Sequence, residues 1–192
     1  PVEVPGGRTG PVVVDRDEHP RADTTLEGLA KLKAVFKEGG SITAGNSAGI
    51  NDGGAAVVLM KQSEAERRGL EPRLVLRSWA VTGIAPELMG YAPAHAIPKA
   101  CEKAGITVDD LDVIELNEAF AAQVVAIVRD AGLAEEKVNP NGGAIALGHP
   151  VGATGTIMTV KLMHELERTN GRYGVVTMCI GGGQGMAAVF SR

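Results

Sequence analysis

The chain has 192 residues, 44% of them hydrophobic and 22% charged, so it can bury a core and lacks the bias of disordered or fibrous proteins. Nineteen basic and 23 acidic residues give a net charge of -4, which argues against nucleic acid as a partner. No apolar run reaches the roughly 20 residues that span a bilayer. Two cysteines are too few for a disulfide framework. We therefore expect a soluble globular protein with no membrane span, from a reducing intracellular compartment, the cytoplasm if it is bacterial.

The first 71 residues contain few signals for regular structure. Residues 12–14 predict a short strand, and the capping box at residues 24–27 opens an amphipathic helix that continues past Phe36 to Gly39. Residues 55–60 are too uniformly apolar for a strand with one solvent-exposed face and predict a strand that is covered on both faces. Such a strand needs neighbours to bury it. The chain opens on a residue other than Met, so we also expect a preceding segment, either removed or supplied as another polypeptide.

Strands and helices alternate after a boundary that we place near Glu71 and Pro72. This alternation is the βαβ signature of an α/β layer fold, and it closes with a hairpin. The predicted elements are strands at 74–81 and 111–116, helices at 93–104, 119–131 and 155–168, and hairpin strands at 174–179 and 186–190.

Three polar residues, Asn117, His149 and Cys179, follow apolar strands or lie in glycine-rich turns, where α/β folds tend to place ligands and reacting groups. Asn117 could instead cap the next helix. His149 could be satisfied by loop carbonyls or could transfer protons near neutral pH. Cys179 could be a buried structural thiol or a thiol that is deprotonated beside a histidine. Cys101 lies within a predicted helix and is interpreted as structural.

Four blocks of this sequence, at residues 45–53, 117–123, 141–155 and 179–185, resemble the signature blocks of thiolases and occur in the same order. Thiolases have two βαβαβαββ halves that form a five-layered αβαβα sandwich, with a loop domain inserted in the first half. The resemblance implies that residues 1–51 are the end of the loop domain. Residues 52–71 would then be a strand and a helix that return to the N-terminal domain, and residues 72–192 the C-terminal domain.

The resemblance also implies roles for individual residues. His149 matches the histidine that activates a nucleophilic cysteine, which the family carries on the N-terminal half and this chain lacks. With a water held by Asn117, His149 also forms an oxyanion hole for the thioester enolate. Cys179 matches the acid/base cysteine that moves the proton at the α-carbon of acetyl-CoA, and the amide of Gly181 contributes to a second oxyanion hole.

Coenzyme A or an acyl-CoA is the implied substrate, with no permanently bound cofactor and no metal. Arg21 offers a positive charge to the nucleotide phosphates. Many relatives carry serine at the positions of Gly28 and Ala48, so those hydroxyl contacts are absent here. The residues expected to contact coenzyme A are Arg21, Phe36, Ala44, Ser47, Met89 and Phe120.

The implied function is acyl transfer that makes or cleaves the carbon-carbon bond of a 3-ketoacyl-CoA. The tail at residues 170–179 favours the degradative 3-ketoacyl-CoA thiolases, with a biosynthetic acetoacetyl-CoA thiolase as the alternative. A third possibility is a noncatalytic thiolase-like module for binding or assembly. Ketosynthases are disfavoured because they typically place a histidine at the position of Asn117. The implied partners are an N-terminal thiolase half and further copies of the protein, as a dimer or tetramer.

Overall fold

The computed structural model describes residues 1–192, with six strands and six helices joined by turns and short 3-10 segments. The strands are β1 (Val2–Val4), β2 (Val12–Val14), β3 (Val75–Gly83), β4 (Val113–Leu116), β5 (Tyr173–Gly181) and β6 (Gln184–Ser191). The helices are α1 (Leu26–Ala30), α2 (Gln62–Arg67), α3 (Pro93–Ala104), α4 (Ala121–Asp130), α5 (Ala144–Leu147) and α6 (Thr154–Thr169).

Strands β3 to β6 form one sheet in the order β3-β6-β5-β4, in which β4 and β5 are parallel and the other pairs antiparallel. Helices α3 and α4 contribute to the core on one face, and α6 packs on the other face against β4 and β5. Strands β1 and β2 form a separate exposed hairpin. The predicted α/β layer architecture and closing hairpin are confirmed, with element bounds that differ from the prediction by no more than three residues.

The helices of the C-terminal region bury the apolar stripes that their sequences contain. Helix α3 has proline in its first turn and ends at Gly105, whose φ of 73° is the left-handed conformation typical of a helix C-terminus. Side chains of α3 and α4 such as Ile97 and Ile127 are fully buried, and each such burial contributes about 2 kcal/mol. A second cluster, between α6 and the sheet, contains Leu162 and Leu166. The sheet is therefore covered on both faces beside β4 and β5.

On the outer side of β4, the chain forms only a single parallel bridge, between Ile114 and Val138, and no further strand. The pairing stops there because Asn139 has a φ of 46° and the next residue is proline. The Asn139 side chain takes over the pairing: Oδ1 accepts from the Leu116 N–H at 2.9 Å, and Nδ2 donates to the Leu116 carbonyl at 2.8 Å. This side chain fixes the end of β4, directly before Asn117.

Two predictions for the first region are wrong. Residues 55–60 form no strand and are exposed, with Val58 and Leu59 at 87% and 86% exposure. No neighbouring strand of this chain pairs with them, and an unpaired strand leaves its backbone hydrogen bonds unmade. The second wrong prediction is the helix that continues past Phe36, because the helix ends with α1 at Ala30. This stretch buries no apolar face, and a short helix gains little stability without such packing.

Candidate active site

The backbone of His149 is held by the first region of the chain. Its N–H donates to the Gly49 carbonyl at 3.0 Å and to Asn51 Oδ1 at 3.2 Å. Gly148 has a φ of 94°, and a Cβ at this position would lie 2.5 Å from Asn51 Oδ1. Glycine is therefore required here by both the backbone conformation and the close approach of Asn51.

The hydrogen bonds of the His149 ring define which nitrogen carries the proton. The Thr154 hydroxyl donates to the Pro150 carbonyl at 2.8 Å, so its oxygen accepts from His149 Nδ1–H, also at 2.8 Å. The lone pair is therefore on Nε2, which lies 3.3 Å from Asn117 Nδ2. Burial lowers the pKa of His149, which favours the neutral ring. The ring thus presents a basic nitrogen next to Asn117 and does not pair with loop carbonyls.

Asn117 follows β4 and is almost completely buried, at 2% exposure. Its N–H donates to the Thr177 carbonyl at 2.9 Å, which extends the β4–β5 pairing by one residue. The helix-cap alternative is wrong, because α4 begins after Phe120 and receives no side-chain cap. Asn117 Oδ1 is buried and has no hydrogen-bond partner, so an acceptor next to the His149 contact is unused.

Cys179 and Gly181 lie at the end of β5, where the hairpin to β6 begins. The Cys179 thiol is half-buried and is in no disulfide. Burial raises the pKa of this thiol, and the nearby Gln123 amide offsets part of the rise. Gly181 has a φ of 137°, which other residues rarely adopt, so the turn requires glycine. Cys101 is fully buried in α3, where burial raises its pKa to about 11, in agreement with a structural thiol.

One cavity of about 410 Å³ brings most of the predicted site residues together. Its walls are largely apolar, and Phe36 contacts Phe120 edge-on with a centroid distance of 5.8 Å. Arg21 is exposed and lies outside this lining, so its expected contact with phosphate stays a prediction. The lining includes His149, Cys179 and Gly181 together with Phe36, Ala44, Ser47, Met89 and Phe120.

A buried ion pair lies beneath the glycine-rich loop that carries His149. Lys161 Nζ is 2.7 Å from Glu115 Oε2 and also donates to the Gly142 carbonyl at 2.7 Å. The Glu115 side chain is 1% exposed, and burial raises the pKa of its carboxyl against the opposing effect of Lys161. The pair therefore connects β4, α6 and the glycine-rich loop.

Sequence reasoning missed the residues that hold the site in place. Thr154 orients the His149 ring, and Asn51 binds its backbone. Glu118 Oε2 accepts from the Ile145 N–H at 3.1 Å. All three lie within or beside the four blocks, which was the available signal, but the blocks do not say which atoms meet.

No group of three or more His, Cys, Asp or Glu side chains could hold a metal ion, and none of the helices has the length and apolar character needed to cross a membrane.

Comparison with known proteins matches two parts of the chain to two domain families. Residues 70–192 match the family described as "Thiolase, C-terminal domain", and residues 1–63 match "Thiolase, N-terminal domain". The chain is 57% identical to the beta-ketothiolase BktB of Cupriavidus necator over 187 residues, which cover 97% of this chain and 48% of that protein.

Solved structures give the same result. The Bacillus anthracis acetyl-CoA acetyltransferase has a TM-score of 0.92 and 46% identity, over all of this chain and 48% of that one. The human mitochondrial 3-ketoacyl-CoA thiolase in complex with CoA has a TM-score of 0.85 and 43% identity, over 93% of this chain and 45% of that one. The chain thus spans about half the length of these relatives. Its two matched domains and its shared fold place this chain in the thiolase family.

Proposed function

We propose that this chain supplies the proton-transfer groups of a coenzyme A-dependent acyltransferase that makes or cleaves the carbon-carbon bond of a 3-ketoacyl-CoA. The observation that carries the proposal is the shared cavity of His149 and Cys179, in which a basic imidazole nitrogen and a thiol face one apolar space. A base and an acid in one largely apolar cavity are the groups that reversible enolate chemistry requires. The nucleophilic cysteine would come from an N-terminal thiolase half.

In the degradative direction, His149 Nε2 takes the proton from that nucleophilic thiol, and the sulfur attacks the 3-keto carbon. The bond between the carbonyl carbon and the α-carbon then breaks, and its electron pair forms the enolate of acetyl-CoA. Cys179 gives its proton to the α-carbon and becomes a thiolate. A coenzyme A thiol then attacks the acyl-enzyme and releases the shortened acyl-CoA. The coenzyme A thiol gives its proton to the Cys179 thiolate as it attacks, and the His149 imidazolium returns its proton to the leaving nucleophilic cysteine, which restores the starting state. The reverse sequence is a Claisen condensation.

Two groups of donors would stabilise the negatively charged oxygens. A water bound at the unpaired Asn117 Oδ1, together with protonated His149 Nε2, would bind the enolate oxygen. The Gly181 N–H, in its glycine-specific turn, would bind the oxygen of the acyl-enzyme intermediate. Donors placed in this way are worth about 3 kcal/mol each in the transition state.

The apolar cavity fits the pantetheine arm of coenzyme A, and its lining includes Phe36, Met89, Phe120, Ala44 and Ser47. Support comes from the human relative, which was solved in complex with CoA. Family resemblance is the basis for the remaining expectations. These are phosphate binding by Arg21, the domain division at residues 51 and 71, assembly as a dimer or tetramer, and a reducing compartment.

For the substrate, we propose a degradative 3-ketoacyl-CoA thiolase, on the basis of the sequence at residues 170–179. Similar proteins are named both for 3-ketoacyl-CoA and for acetyl-CoA acetyl transfer, so an acetoacetyl-CoA thiolase is the alternative. Thiolysis rates with acetoacetyl-CoA and with a longer 3-ketoacyl-CoA, measured side by side, distinguish the two. Higher kcat/KM for the longer substrate supports the degradative assignment, and a preference for acetoacetyl-CoA overturns it.

The test of the mechanism uses Cys179→Ala and His149→Ala in the chain combined with an N-terminal half. Cys179→Ala should reduce condensation at least about a thousandfold, because the proton at the α-carbon has no acceptor, but should still allow acylation of the nucleophilic cysteine. His149→Ala should slow both steps. Cys101→Ala is the matched control for the loss of a thiol. Full turnover of Cys179→Ala would remove this residue from the mechanism.

A noncatalytic module for binding or assembly is the alternative from another class, since the chain lacks the expected nucleophile. Such a module would bind coenzyme A and its partner half without a catalytic need for Cys179. Failure of the combined halves to cleave any 3-ketoacyl-CoA, while isothermal titration still detects coenzyme A binding, would favour it.

A further inference from the structure

Gln123 is a buried polar side chain without a hydrogen-bond partner. It lies in the first turn of α4 with 8% exposure, and neither Nε2 nor Oε1 forms a hydrogen bond. A Cβ on Gly90 would lie 3.2 Å from Gln123 Cγ, so glycine allows the turn at Pro86–Tyr91 to close over this side chain. Buried amides are nearly always paired, so this one requires an explanation.

The residues around Gln123 place it beside the active-site cavity that Cys179 lines. Met89 precedes Gly90, and Phe120 precedes α4, and both of these residues line the cavity together with Cys179. The amide is close enough to lower the pKa of the thiol, against the larger effect of burial. However, it is not aligned as a formed hydrogen bond. A donor and an acceptor therefore lie near the sulfur, and neither is engaged.

A thiol that both gives and takes a proton needs different partners in its two states. The protonated thiol is a weak donor, and the thiolate accepts hydrogen bonds. A glutamine side chain has one end of each kind, and a half-turn about its last bond exchanges them within the same volume. No charged side chain near Cys179 affects the pKa of its thiol. Besides Cys179, the titratable residue in the cavity lining is His149. The amide is thus the group available to respond.

We propose that Gln123 is a positioning residue that serves both protonation states of Cys179: Oε1 accepts from the thiol S–H, and Nε2 donates to the thiolate. The inference rests on the proposed role of Cys179 as acid and base. A neutral partner suits this role because a permanent positive charge would hold the thiolate and prevent it from taking the proton. With Gln123, the thiolate gains a donor, and the thiol keeps an acceptor.

The test is the pH dependence of Cys179 alkylation by iodoacetamide, followed by the mass of the Cys179 peptide. Because the readout is resolved by peptide, it applies equally to the chain alone and to the chain combined with an N-terminal half. Gln123→Met keeps the length of the side chain without the amide. The midpoint should rise by about one pH unit, which makes alkylation below the midpoint about tenfold slower. Gln62→Met, the same change on exposed α2, should leave the midpoint unchanged.

A second variant and a measurement on the unaltered chain keep the test decisive if Gln123→Met fails to fold. Gln123→Glu retains the shape, and its carboxylate should raise the midpoint by repulsion of the thiolate. In the unaltered chain, the ¹⁵N signals of the Gln123 side-chain amide should shift with the same midpoint as the alkylation of Cys179. An amide signal that does not change through this titration, or an unchanged midpoint in a folded Gln123→Met, overturns the inference.

Turnover measurements separate this inference from the proposed function. In the combined halves, Gln123→Met should lower the kcat of condensation, in which Cys179 takes the proton, with little change in KM, and higher pH should restore part of the loss. A shifted thiol midpoint together with full turnover of Cys179→Ala would overturn the proposed function and leave the Gln123 contact in place. Loss of turnover in Cys179→Ala with an unchanged midpoint in Gln123→Met would overturn only the inference.

Discussion

The first region, residues 1–71, and the C-terminal region, residues 75–192, contribute to the molecule in opposite ways. The C-terminal region contains both apolar clusters and the four-stranded sheet. Within the first region, Ala65 is the only buried residue. Yet that region supplies Phe36, Ala44 and Ser47 to the cavity and Asn51 to the backbone of His149. A segment can therefore shape a candidate site without contributing to the core that stabilises it.

The largest contrast between the two regions should appear with matched leucines. Leu162→Ala removes a fully buried side chain and should lower the free energy of unfolding by about 3 kcal/mol. Leu59 is 86% exposed, and Leu59→Ala should cost no more than about 0.5 kcal/mol. Urea unfolding of the two variants measures both values. Equal costs would break the comparison, because they would mean that residues 55–60 are buried in solution.

A nearly equal effect is expected at the ion pair of the C-terminal region. Lys161→Met leaves the Glu115 carboxylate buried without its counter-ion and should cost about 3 kcal/mol of unfolding free energy. Adding Glu115→Gln to this variant should recover part of the loss, and Lys99→Met, at an exposed position of α3, serves as the control. A cost of Lys161→Met no larger than that of Lys99→Met would show that the pair contributes nothing to this region.

A smaller effect, on activity, is expected from the residue that orients His149. Thr154→Val removes the acceptor of the Nδ1 proton, so Nε2 is no longer held as the basic nitrogen. Acylation of the nucleophilic cysteine should slow about tenfold. Thr159→Val, which removes a hydroxyl from the same helix far from the imidazole, should leave the rate within about twofold. Equal rates in the two variants would show that the Thr154 contact with His149 Nδ1 does not affect acylation.

The contact between the two regions can be tested through Asn51. Asn51→Ala removes the Oδ1 atom that accepts from the His149 N–H, and should slow acylation about fivefold while unfolding free energy stays within about 0.5 kcal/mol. Asn46→Ala perturbs a capping box in the same region without touching His149 and should change the rate less. If stability falls and the rate does not, the first region acts on the fold and not on the site.

The pH dependence should show the smallest effect. Burial lowers the pKa of His149, so the ring stays neutral and acts as a base to a lower pH than an exposed imidazole does. Acylation should fall only as pH drops through this lowered pKa. The contribution to stability has the same direction: the unfolded chain binds the proton first, and stability is lost as the pH falls. A ¹H NMR titration of the His149 ring with a midpoint above 6.5 would contradict this.

The difference between the regions also explains which parts of the fold could be predicted. Helices α3, α4 and α6 and the closing hairpin were predictable because their apolar spacing matches a face that the chain itself buries. Residues 55–60 have the composition of a strand, but the ladder they need is not in this chain. Composition reports what a segment would bury, and only the structure reports whether a partner is present.

For the candidate site, the sequence could indicate residues but not their contacts. The four blocks identified Asn117, His149 and Cys179, and the structure brings the imidazole into contact with Asn117 and into one cavity with the thiol. The basic nitrogen of His149 depends on Thr154, and the setting of Cys179 depends on Gln123. The spacing of these residues along the chain follows neither a helix period nor a strand period. Periodicity therefore cannot predict their contacts.

The side chain of Asn139 has a consequence for how the protein behaves in a crowded solution. The outer edge of a sheet exposes unpaired backbone groups that another chain can join by strand addition. Asn139 occupies those groups at Leu116, and its own N–H binds the Ile114 carbonyl at 2.8 Å. One amide side chain therefore protects the β4 edge from edge-to-edge aggregation where a complete strand would otherwise be needed.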